Sequence, residues 1–232
     1  MKEFERVLVV GASRGIGAAV AEHLGDRTTE LITVSRTPAS CGNWTQADIS
    51  SKSGVEAVGR AIANSSLDVL LYMGGTWEEK AFSSQYSFED CSDEDIERVI
   101  AVNLLAPIRL VKSLLPALKR SQNPKIIFMG ALSGLDNFPA REVANTASKF
   151  GLRGAVHALR EELRPERIGV TVINPGNIGT PEVLQDLKQA GQAETNAIPL
   201  ADLLNVIDCV LSLSRSTCIK EIQMPAITAR GA

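Results

Sequence analysis

The sequence has few of the residues that build metal sites, disulfide frameworks or aromatic surfaces. Among 232 residues it has two histidines, 4% aromatic residues and four cysteines without a Cys-x-x-Cys pair. The cysteines are Cys41, Cys91, Cys209 and Cys218. Cysteines scattered in this way, beside so few histidines, indicate neither a metal site nor a disulfide framework. We therefore expect no metal cofactor and a reducing compartment, most simply the cytoplasm.

Strong charge and long apolar runs are missing as well. The net charge is −3 and the pI about 5.5, with no basic stripe that would attract nucleic acid. No apolar run reaches the roughly 18 residues that a membrane span needs. The first apolar run begins within a few residues of Met1, so a signal peptide does not fit before it. The sequence predicts a cytoplasmic protein without nucleic-acid or membrane partners.

What the sequence does contain is a regular alternation of short apolar runs and longer amphipathic stretches. The strand-like runs are Val7–Val10, Leu31–Val34, Val69–Met73, Ile126–Met129, Val170–Ile173 and Ile219–Met224, with a weak seventh near Trp44–Ala47. The helix-like stretches are Gly15–Leu24, Val55–Ile62, Asp93–Val102, Pro107–Leu118, Val143–Leu163 and Leu200–Leu213. This alternation is typical of βαβ units. We predict a single doubly wound α/β domain over residues 1–232, with a parallel seven-stranded sheet and helices on both faces.

Two stretches do not follow the alternation. The segment Thr76–Cys91 is polar and acidic, and we expect a surface insertion whose acidic residues form a solvated face. Ser92 and Asp95 then form a capping-box signature for the next helix. The second stretch is Glu182–Pro199. Both stretches are expected to shape a substrate pocket, and neither contains a pattern that identifies the substrate.

The strongest motif is a glycine-rich turn between the first strand and the first helix. It reads Gly11-Ala12-Ser13-Arg14-Gly15-Ile16-Gly17. Glycines at such a turn let backbone N–H groups approach a pyrophosphate, and the helix N-terminus adds partial positive charge. The alternative is a tight turn without a ligand. The position at the start of a βαβ series favours a dinucleotide site, with contacts from Gly11, Ser13, Arg14, Gly15, Ile16 and Gly17.

This turn resembles the T-G-x-x-x-G-I-G motif of the short-chain dehydrogenase/reductase family, with Val10 in place of the threonine. Four other stretches match that family in order: Ala47-Asp48-Ile49, Leu70 to Gly75 in altered form, Asn103, and Pro175 to Thr180. The resemblance implies a Rossmann fold that binds a nicotinamide cofactor. It assigns further cofactor contacts to Asp48, Ile49, Gly74, Lys149, Pro175, Gly176, Ile178 and Thr180.

The end of the second strand indicates which nicotinamide cofactor fits. An acidic residue there would bond a ribose 2′-hydroxyl and repel a 2′-phosphate. The chain has Ser35-Arg36 instead, and Arg14 comes from the glycine-rich turn. Two guanidinium groups suit a phosphate dianion. The alternative is that both arginines are simply solvent-exposed. We predict NADP(H) rather than NAD(H).

The catalytic residues that the resemblance implies are only partly present. The family motif Y-x-x-x-K corresponds to Asn145 and Lys149, so an asparagine stands at the position of the catalytic tyrosine. Residues four apart share a helix face. Alignment on Gly134 places Ala131 at the position of the catalytic serine, and Ser133 lies two residues further on. The candidate catalytic residues are Lys149, Asn103, Asn145 and Ser133.

Several groups are alternatives for the missing proton donor. Tyr72 and Tyr86 are the remaining phenols, the first near the cofactor and the second in the irregular segment. His23 and His157 are expected on helix surfaces. An amide cannot act as a general acid near neutral pH, although Asn145 could position a water molecule or polarise a carbonyl. Lys149 could supply the proton if burial lowers its pKa.

Two functions remain open at this point. The first is an NADP(H)-dependent oxidoreductase for a small carbonyl or alcohol substrate, with a non-standard acid–base site. The second is a catalytically inactive NADP(H)-binding regulatory or partner protein. The stretches Ala106–Leu118 and Asn145–Leu163 are apolar on more than one face, and the family resemblance implies that they pack against their copies in a homodimer or homotetramer.

Overall fold

The computed structural model describes residues 2–62, 64–138 and 140–228. Seven strands form one parallel sheet in the order β3-β2-β1-β4-β5-β6-β7. They are β1 Phe4–Val10, β2 Thr28–Ser35, β3 Asn43–Gln46, β4 Val69–Tyr72, β5 Lys125–Met129, β6 Gly169–Pro175 and β7 Glu221–Met224. The prediction of a parallel seven-stranded sheet is confirmed, including the weak strand β3.

Seven α-helices cover both faces of the sheet. They are α1 Gly15–Gly25, α2 Lys52–Ile62, α3 Asp93–Ile100, α4 Ala106–Lys119, α5 Val143–Glu162, α6 Pro181–Gln189 and α7 Leu200–Ser212. Alternate residues of β1 pack into the two hydrophobic cores on opposite faces of the sheet. Leu8 and Val10 pack toward α2, α4 and α5, whereas Val7 and Val9 pack toward α1 and α7. The predicted N-cap of α3 is present, because the hydroxyl of Ser92 accepts a hydrogen bond from the backbone N–H of Asp95 at 3.1 Å.

Helix α6 was not predicted, because it lies almost entirely in Glu182–Pro199, which we expected only to shape a substrate pocket. Its start nevertheless has the expected local signals. Thr180 is the N-cap and Pro181 occupies the first turn, where a missing N–H removes no hydrogen bond. Thr180 was assigned to the family motif alone and Pro181 was not assigned, although both also mark the start of a helix.

The predicted break between the third and fourth helices is not present. A π-helical turn, Ala101–Leu105, joins α3 and α4 into one helix over Asp93–Lys119. Pro107 lacks the N–H that would continue an α-helical ladder, and the wider turn just before it allows the helix to proceed. This 27-residue helix could span a membrane by length and composition alone, although the sequence has no uninterrupted apolar run of that length. Here Leu110, Leu114 and Leu118 pack in the core.

The carboxyl ends of β1, β4 and β5 meet at one edge of the sheet. The strand order reverses beside β1, since β2 lies on one side of it and β4 on the other. Ligands of open parallel sheets bind at such a switch point, outside the carboxyl ends of the strands. The glycine-rich turn follows β1, and the N-terminal half of α5 carries Asn145 and Lys149, so both lie near this edge.

Candidate active site

The glycine-rich turn, called the phosphate loop below (Gly11–Gly17), has a backbone that only glycines allow. Gly11 has φ +85° and Gly15 has φ +56°. A Cβ on Gly11 would lie 2.7 Å from Cα of Gly74, and a Cβ on Gly17 would collide with the carbonyl oxygen of Gly11. Gly74, predicted from the motif after β4, is therefore in direct contact with the loop. Arg14 is the extended N-cap of α1, and it makes no side-chain cap bond.

The end of β2 presents one arginine at the surface. Arg36 is exposed, as Arg14 is. Ser35 is buried, and its hydroxyl donates to the carbonyl of Thr37 at 2.6 Å and accepts from the indole of Trp44 at 3.0 Å. Because those bonds use the hydroxyl of Ser35, its predicted contact with a cofactor would need another atom. Arg14 and Arg36 are therefore the exposed charged side chains among the predicted cofactor contacts at this end of β2.

Asp48 lies in the loop after β3. Its carboxylate accepts bonds from the hydroxyl of Ser50 at 2.7 Å and from its backbone N–H at 3.0 Å. The hydroxyl bond is the main cause that lowers the pKa of Asp48, and the charge of Arg36 lowers it further. Ile49 packs at the edge of the core, and its Cδ1 lies 3.2 Å from the Cβ position of Gly74. Ile49 therefore lies against Gly74, which in turn contacts the phosphate loop.

The loop before α6 reaches back to the phosphate loop. The Cγ2 atom of Thr180 lies 4.0 Å from the Cβ position of Gly15. Glu182 follows in the first turn of α6. Its pKa is lowered chiefly by its own backbone N–H and by the hydroxyl of Thr180, and further by the charge of Arg14 and the N–H of Gly15. Ile178 forms a single bridge with Ile198, which ties this loop to the start of α7.

Lys149 projects from α5 toward the carboxyl ends of the strands. Its Nζ donates to the carbonyl of Met129, the last residue of β5, at 3.2 Å. Burial lowers its pKa to about 8. Nζ and the Oδ1 atom of Asn103 each lie 3.8 Å from the Cβ position of Gly75. The backbone of Gly134 approaches Lys149 so closely that a Cβ there would be only 3.0 Å from it.

Asn103 is 1% exposed and lies in the π-helical turn. Its side-chain amide pairs with the backbone of Thr76, accepting from N–H at 2.9 Å and donating to the carbonyl at 2.7 Å. It also donates to Ser148 at 3.0 Å and to Asn145 at 3.4 Å. Asn103 therefore joins the π-helical turn, the segment after β4 and helix α5.

Asn145 is 3% exposed and faces the same cluster, one helical turn before Lys149. Its Oδ1 accepts from Asn103, whereas its Nδ2 makes no hydrogen bond to the described residues. Ser148 donates to the carbonyl of Asn145 at 2.6 Å. Sequence reasoning missed Ser148, although a serine three residues after Asn145 on a helix shares its face.

The predicted serine has no clear bond in the site. The hydroxyl of Ser133 is enclosed and has no hydrogen-bond partner in the part of the chain that the structure describes. It lies in a 3₁₀ turn, Leu132–Gly134, whose last residue contacts Lys149. Ala131 precedes this turn in extended conformation. The turn that contains Ser133 therefore lies against Lys149, but the hydroxyl of Ser133 makes no hydrogen bond to the described residues.

The alternative proton donors are engaged elsewhere. The phenol of Tyr72 is buried and donates to the carbonyl of Val102 at 2.5 Å, and burial raises its pKa. His23 bonds Asp208 at 2.9 Å and thereby joins α1 to α7. His157 is exposed on α5. The π-helical turn thus uses Tyr72 as a structural hydrogen-bond donor.

The segment Thr76–Cys91, called the strap below, is bound to α5 by acidic and phenolic side chains. We expected its acidic residues to be solvated, and this is wrong for Glu78, which is 1% exposed. Oε1 of Glu78 accepts the backbone N–H groups of Ala144 at 2.6 Å and Asn145 at 3.2 Å. Tyr86 accepts the N–H of Val143 at 3.2 Å. The first N–H groups of a helix have no partner within it, so the strap supplies caps for α5.

The other side of the strap is bound to α3 and to the residue before α5. Arg98 donates to the hydroxyl of Thr76 and to the carbonyl of Trp77. Asp95 accepts the N–H of Glu79 at 2.7 Å, and Glu142 accepts the N–H of Phe82 at 2.8 Å. The strap therefore has polar contacts with two helices, which its irregular sequence did not indicate.

The family model described as short chain dehydrogenase matches residues 5–190. This chain belongs to the short-chain dehydrogenase family. Over 202 residues it is 29% identical to a 3-dehydrosphinganine reductase of Arabidopsis thaliana, covering 81% of this chain but only 59% of that protein. Over 214 residues it is 28% identical to a rhamnolipid-biosynthesis 3-oxoacyl-[acyl-carrier-protein] reductase of Pseudomonas aeruginosa, covering 83% and 81%.

A solved metagenomic short-chain oxidoreductase in complex with NADP is also similar. Its TM-score is 0.75 and its identity 26%, with 95% of this chain and 96% of that chain covered. The family resemblance inferred from the five ordered motifs is therefore confirmed, and so is the doubly wound fold. The chain has the architecture of an oxidoreductase of this family.

Proposed function

We propose that the protein is an NADP(H)-dependent oxidoreductase that interconverts a carbonyl compound and an alcohol, with Lys149 as the proton donor. A single domain would hold both cofactor and substrate. The observation that carries the proposal is the position of the Lys149 ammonium, which donates to the carbonyl of Met129 and whose pKa burial lowers to about 8. By its resemblance to the family motif, Asn145 occupies the position of the tyrosine and Ala131 that of the serine. Lys149 lies on the same face of α5, one turn after Asn145.

The chain's own residues suit reduction without a phenol. Bound NADPH would supply the hydride. A general acid works best when its pKa lies near the working pH, and an ammonium with a pKa of about 8 is still protonated at pH 7. The free Nδ2 of Asn145 would donate to the substrate's carbonyl oxygen and polarise it. Asn103 orients the side chain of Asn145 by donating to its Oδ1, and Ser148 bonds the backbone carbonyl of Asn145.

The pH dependence of the rate tests this assignment. We expect kcat/KM for NADPH-dependent reduction of a carbonyl panel to fall as the pH rises through about 8, because Lys149 loses its proton. Lys149→Met should lower the rate by about 10² to 10⁴, after correction for any change in cofactor affinity. Lys125→Met, at a buried lysine at the start of β5, is the matched control. A profile that stays flat through pH 9 would contradict the role of Lys149.

A second experiment distinguishes the proposed reductase from a catalytically inactive NADP(H)-binding protein. Asn145→Tyr with Ala131→Ser would restore the phenol and hydroxyl of the family motif. If the protein is a reductase limited by its proton donor, this double variant should exceed the parent's rate. No turnover by any variant, with NADPH bound, would favour the catalytically inactive NADP(H)-binding protein.

The cofactor proposal is NADP(H) rather than NAD(H). Arg14 and Arg36 are exposed where a 2′-phosphate would be bound by analogy with the family, and the metagenomic relative was solved with NADP. We expect the parent to bind NADPH more tightly than NADH in calorimetric titrations. Arg36→Asp should reverse or flatten the preference, and Arg60→Asp, at an exposed arginine on α2, should not. Equal affinities in the parent would refute the two-arginine argument.

We also propose a homodimer or homotetramer that packs through α4 and α5. Ile108 and Phe150 are 37% and 39% exposed on these helices, and Leu105 just before α4 is 38% exposed. A two-fold axis would bury each apolar face against its copy. Light scattering at micromolar concentration should show a multimer that Ile108→Glu dissociates. Phe88→Glu, at an exposed aromatic of the strap, is the control, and a monomeric parent would refute the assembly.

A further inference from the structure

The buried carboxyl group of Glu78 uses one of its two oxygens in the fold. Oε1 accepts from the N–H groups of Ala144 and Asn145. Oε2 is enclosed and has no hydrogen-bond partner among residues 2–62, 64–138 and 140–228. Buried polar atoms without a partner are rare, because such an atom has lost water and gained nothing in exchange. The free oxygen of Glu78 therefore requires an explanation.

The charge of Glu78 is not balanced by a basic side chain. The ion pairs formed within the described residues do not include Glu78. Its favourable electrostatic contact is the positive N-terminal end of α5. The phenol of Tyr86 is nearby, since the charge of Glu78 contributes to raising its pKa, although burial is the main cause. A hydroxyl or an ammonium group would complete the hydrogen bonding of this carboxylate, and an ammonium group would also balance its charge.

Glu78 is also adjacent to the candidate catalytic side chains. It bonds the backbone N–H of Asn145, which lies one helical turn before Lys149. It follows Thr76 by two residues, and the backbone of Thr76 is paired with Asn103. The carboxyl group of Glu78 therefore lies between the strap and the N-terminal end of α5, beside the backbone of Asn145.

We propose that Glu78 is a specificity-determining residue whose Oε2 accepts a hydrogen bond from a hydroxyl or ammonium group next to the substrate's carbonyl. The substrates would be α-hydroxy or α-amino ketones, and this inference rests on the proposed carbonyl reduction. An ammonium group should bind more tightly than a hydroxyl, because it also carries the opposite charge. This recognition requires a local movement of the strap, because Oε2 is enclosed.

The test measures recognition without turnover. Aminoacetone, hydroxyacetone and butanone are titrated by NMR against the protein, with and without NADP⁺, which cannot reduce a ketone. The parent should bind aminoacetone roughly ten- to a hundredfold more tightly than butanone, the range for a hydrogen bond to a charged group, with hydroxyacetone between them. Glu78→Gln keeps an oxygen for the two N–H groups but places a donor at the other position, so it should abolish the preference. Glu79→Gln changes an exposed neighbouring carboxylate and should retain it.

Each outcome decides the inference. Equal affinities of the parent for the three ketones, or a preference that survives in Glu78→Gln, would overturn it. A preference that depends on Glu78, in a protein that never oxidises NADPH, would uphold the binding role and contradict the proposed reductase instead. If Glu78→Gln does not fold, Glu78→Asp keeps the charge but shortens the side chain. It should weaken aminoacetone binding and leave butanone binding unchanged, and unchanged aminoacetone binding would overturn the proposal.

Discussion

The phosphate loop and the strap both border the candidate active site, but different parts of the chain hold them in shape. The shape of the phosphate loop depends on its backbone, and side chains must be absent at Gly11 and Gly17, as the contact of Gly11 with Gly74 shows. In the strap the backbone is irregular, and side chains such as Glu78 and Tyr86 anchor it to α5. The phosphate loop should therefore tolerate no added atom at these glycines, whereas the strap should tolerate no loss of the polar groups that anchor it.

The largest effect should come from adding one methyl group to the phosphate loop. Gly11→Ala would place a Cβ 2.7 Å from the backbone of Gly74, at φ +85°. We expect a loss of about 2–4 kcal/mol in the free energy of unfolding, since overpacking and a left-handed alanine both contribute. Binding of NADPH should be lost at the same time. Denaturant unfolding and calorimetric titration measure the two effects.

The control for this variant is Gly25→Ala at the end of α1. A Cβ on Gly25 meets no atom within 4 Å, so stability and cofactor affinity should stay close to those of the parent. If Gly11→Ala behaved like Gly25→Ala, the backbone of the phosphate loop would not require glycine, and the contrast with the strap would fail.

The next effect should come from removing one anchor of the strap. Glu78→Ala leaves the N–H groups of Ala144 and Asn145 without their acceptor. We expect a loss of about 2–3 kcal/mol, because hydrogen bonds to charged groups are worth more than neutral ones. Chemical denaturation compares it with Glu79→Ala, which removes an exposed carboxylate of the same segment. Equal stabilities of the two variants would mean that the strap does not depend on Glu78.

The difference between the two regions also explains what the sequence allowed us to predict. The phosphate loop lies within seven consecutive residues, and its glycines mark the left-handed and crowded positions. The contact of Glu78 with Ala144 spans 66 residues, and that of Tyr86 with Val143 spans 57. No periodicity or local motif links residues that far apart. We therefore predicted the sheet and the loop, and missed Glu78 as a cap.

Local signals were also present where the prediction failed. Thr180 and Pro181 mark the start of α6, and Ser148 lies on the face of Asn145, as a helical spacing of three requires. The π-helical turn around Asn103 had a weaker signal, since Pro107 suggests a break as readily as a wider turn. These features were readable in part, whereas the contacts of the strap needed the fold.

A smaller effect, of opposite sign, should come from Lys149. Burial lowers its pKa from 10.5 to about 8. Below pH 8 the native state therefore carries a charged ammonium whose burial lowers the free energy of unfolding. Between these two values the unfolded chain binds a proton that the native protein lacks, and stability rises with pH. Lys149→Met should stabilise the protein by about 1–2 kcal/mol at pH 7, after allowance for partial exposure. It should also remove the rise between pH 8 and 10.5.

Thermal unfolding over pH 7 to 10.5 measures this, with Lys112→Met, at an exposed lysine of α4, as the control. A destabilised Lys149→Met at pH 7 would show that the bond to Met129 outweighs the penalty of burial. The catalytic role would then need a different origin for the lowered pKa.

The smallest effect distinguishes two glycines on α5, the helix that the strap caps. A Cβ on Gly154 meets no atom within 4 Å, whereas one on Gly151 would lie 2.8 Å from Cδ2 of Leu104. Gly154→Ala should raise the free energy of unfolding by about 0.5–1 kcal/mol, because alanine loses less conformational entropy in a helix. Gly151→Ala should not, since the close contact with Leu104 offsets the gain. Because Gly154 is exposed, destabilisation by alanine there, together with a change in light scattering, would show that a second copy packs on α5. Destabilisation without such a change would contradict the helix-propensity argument itself.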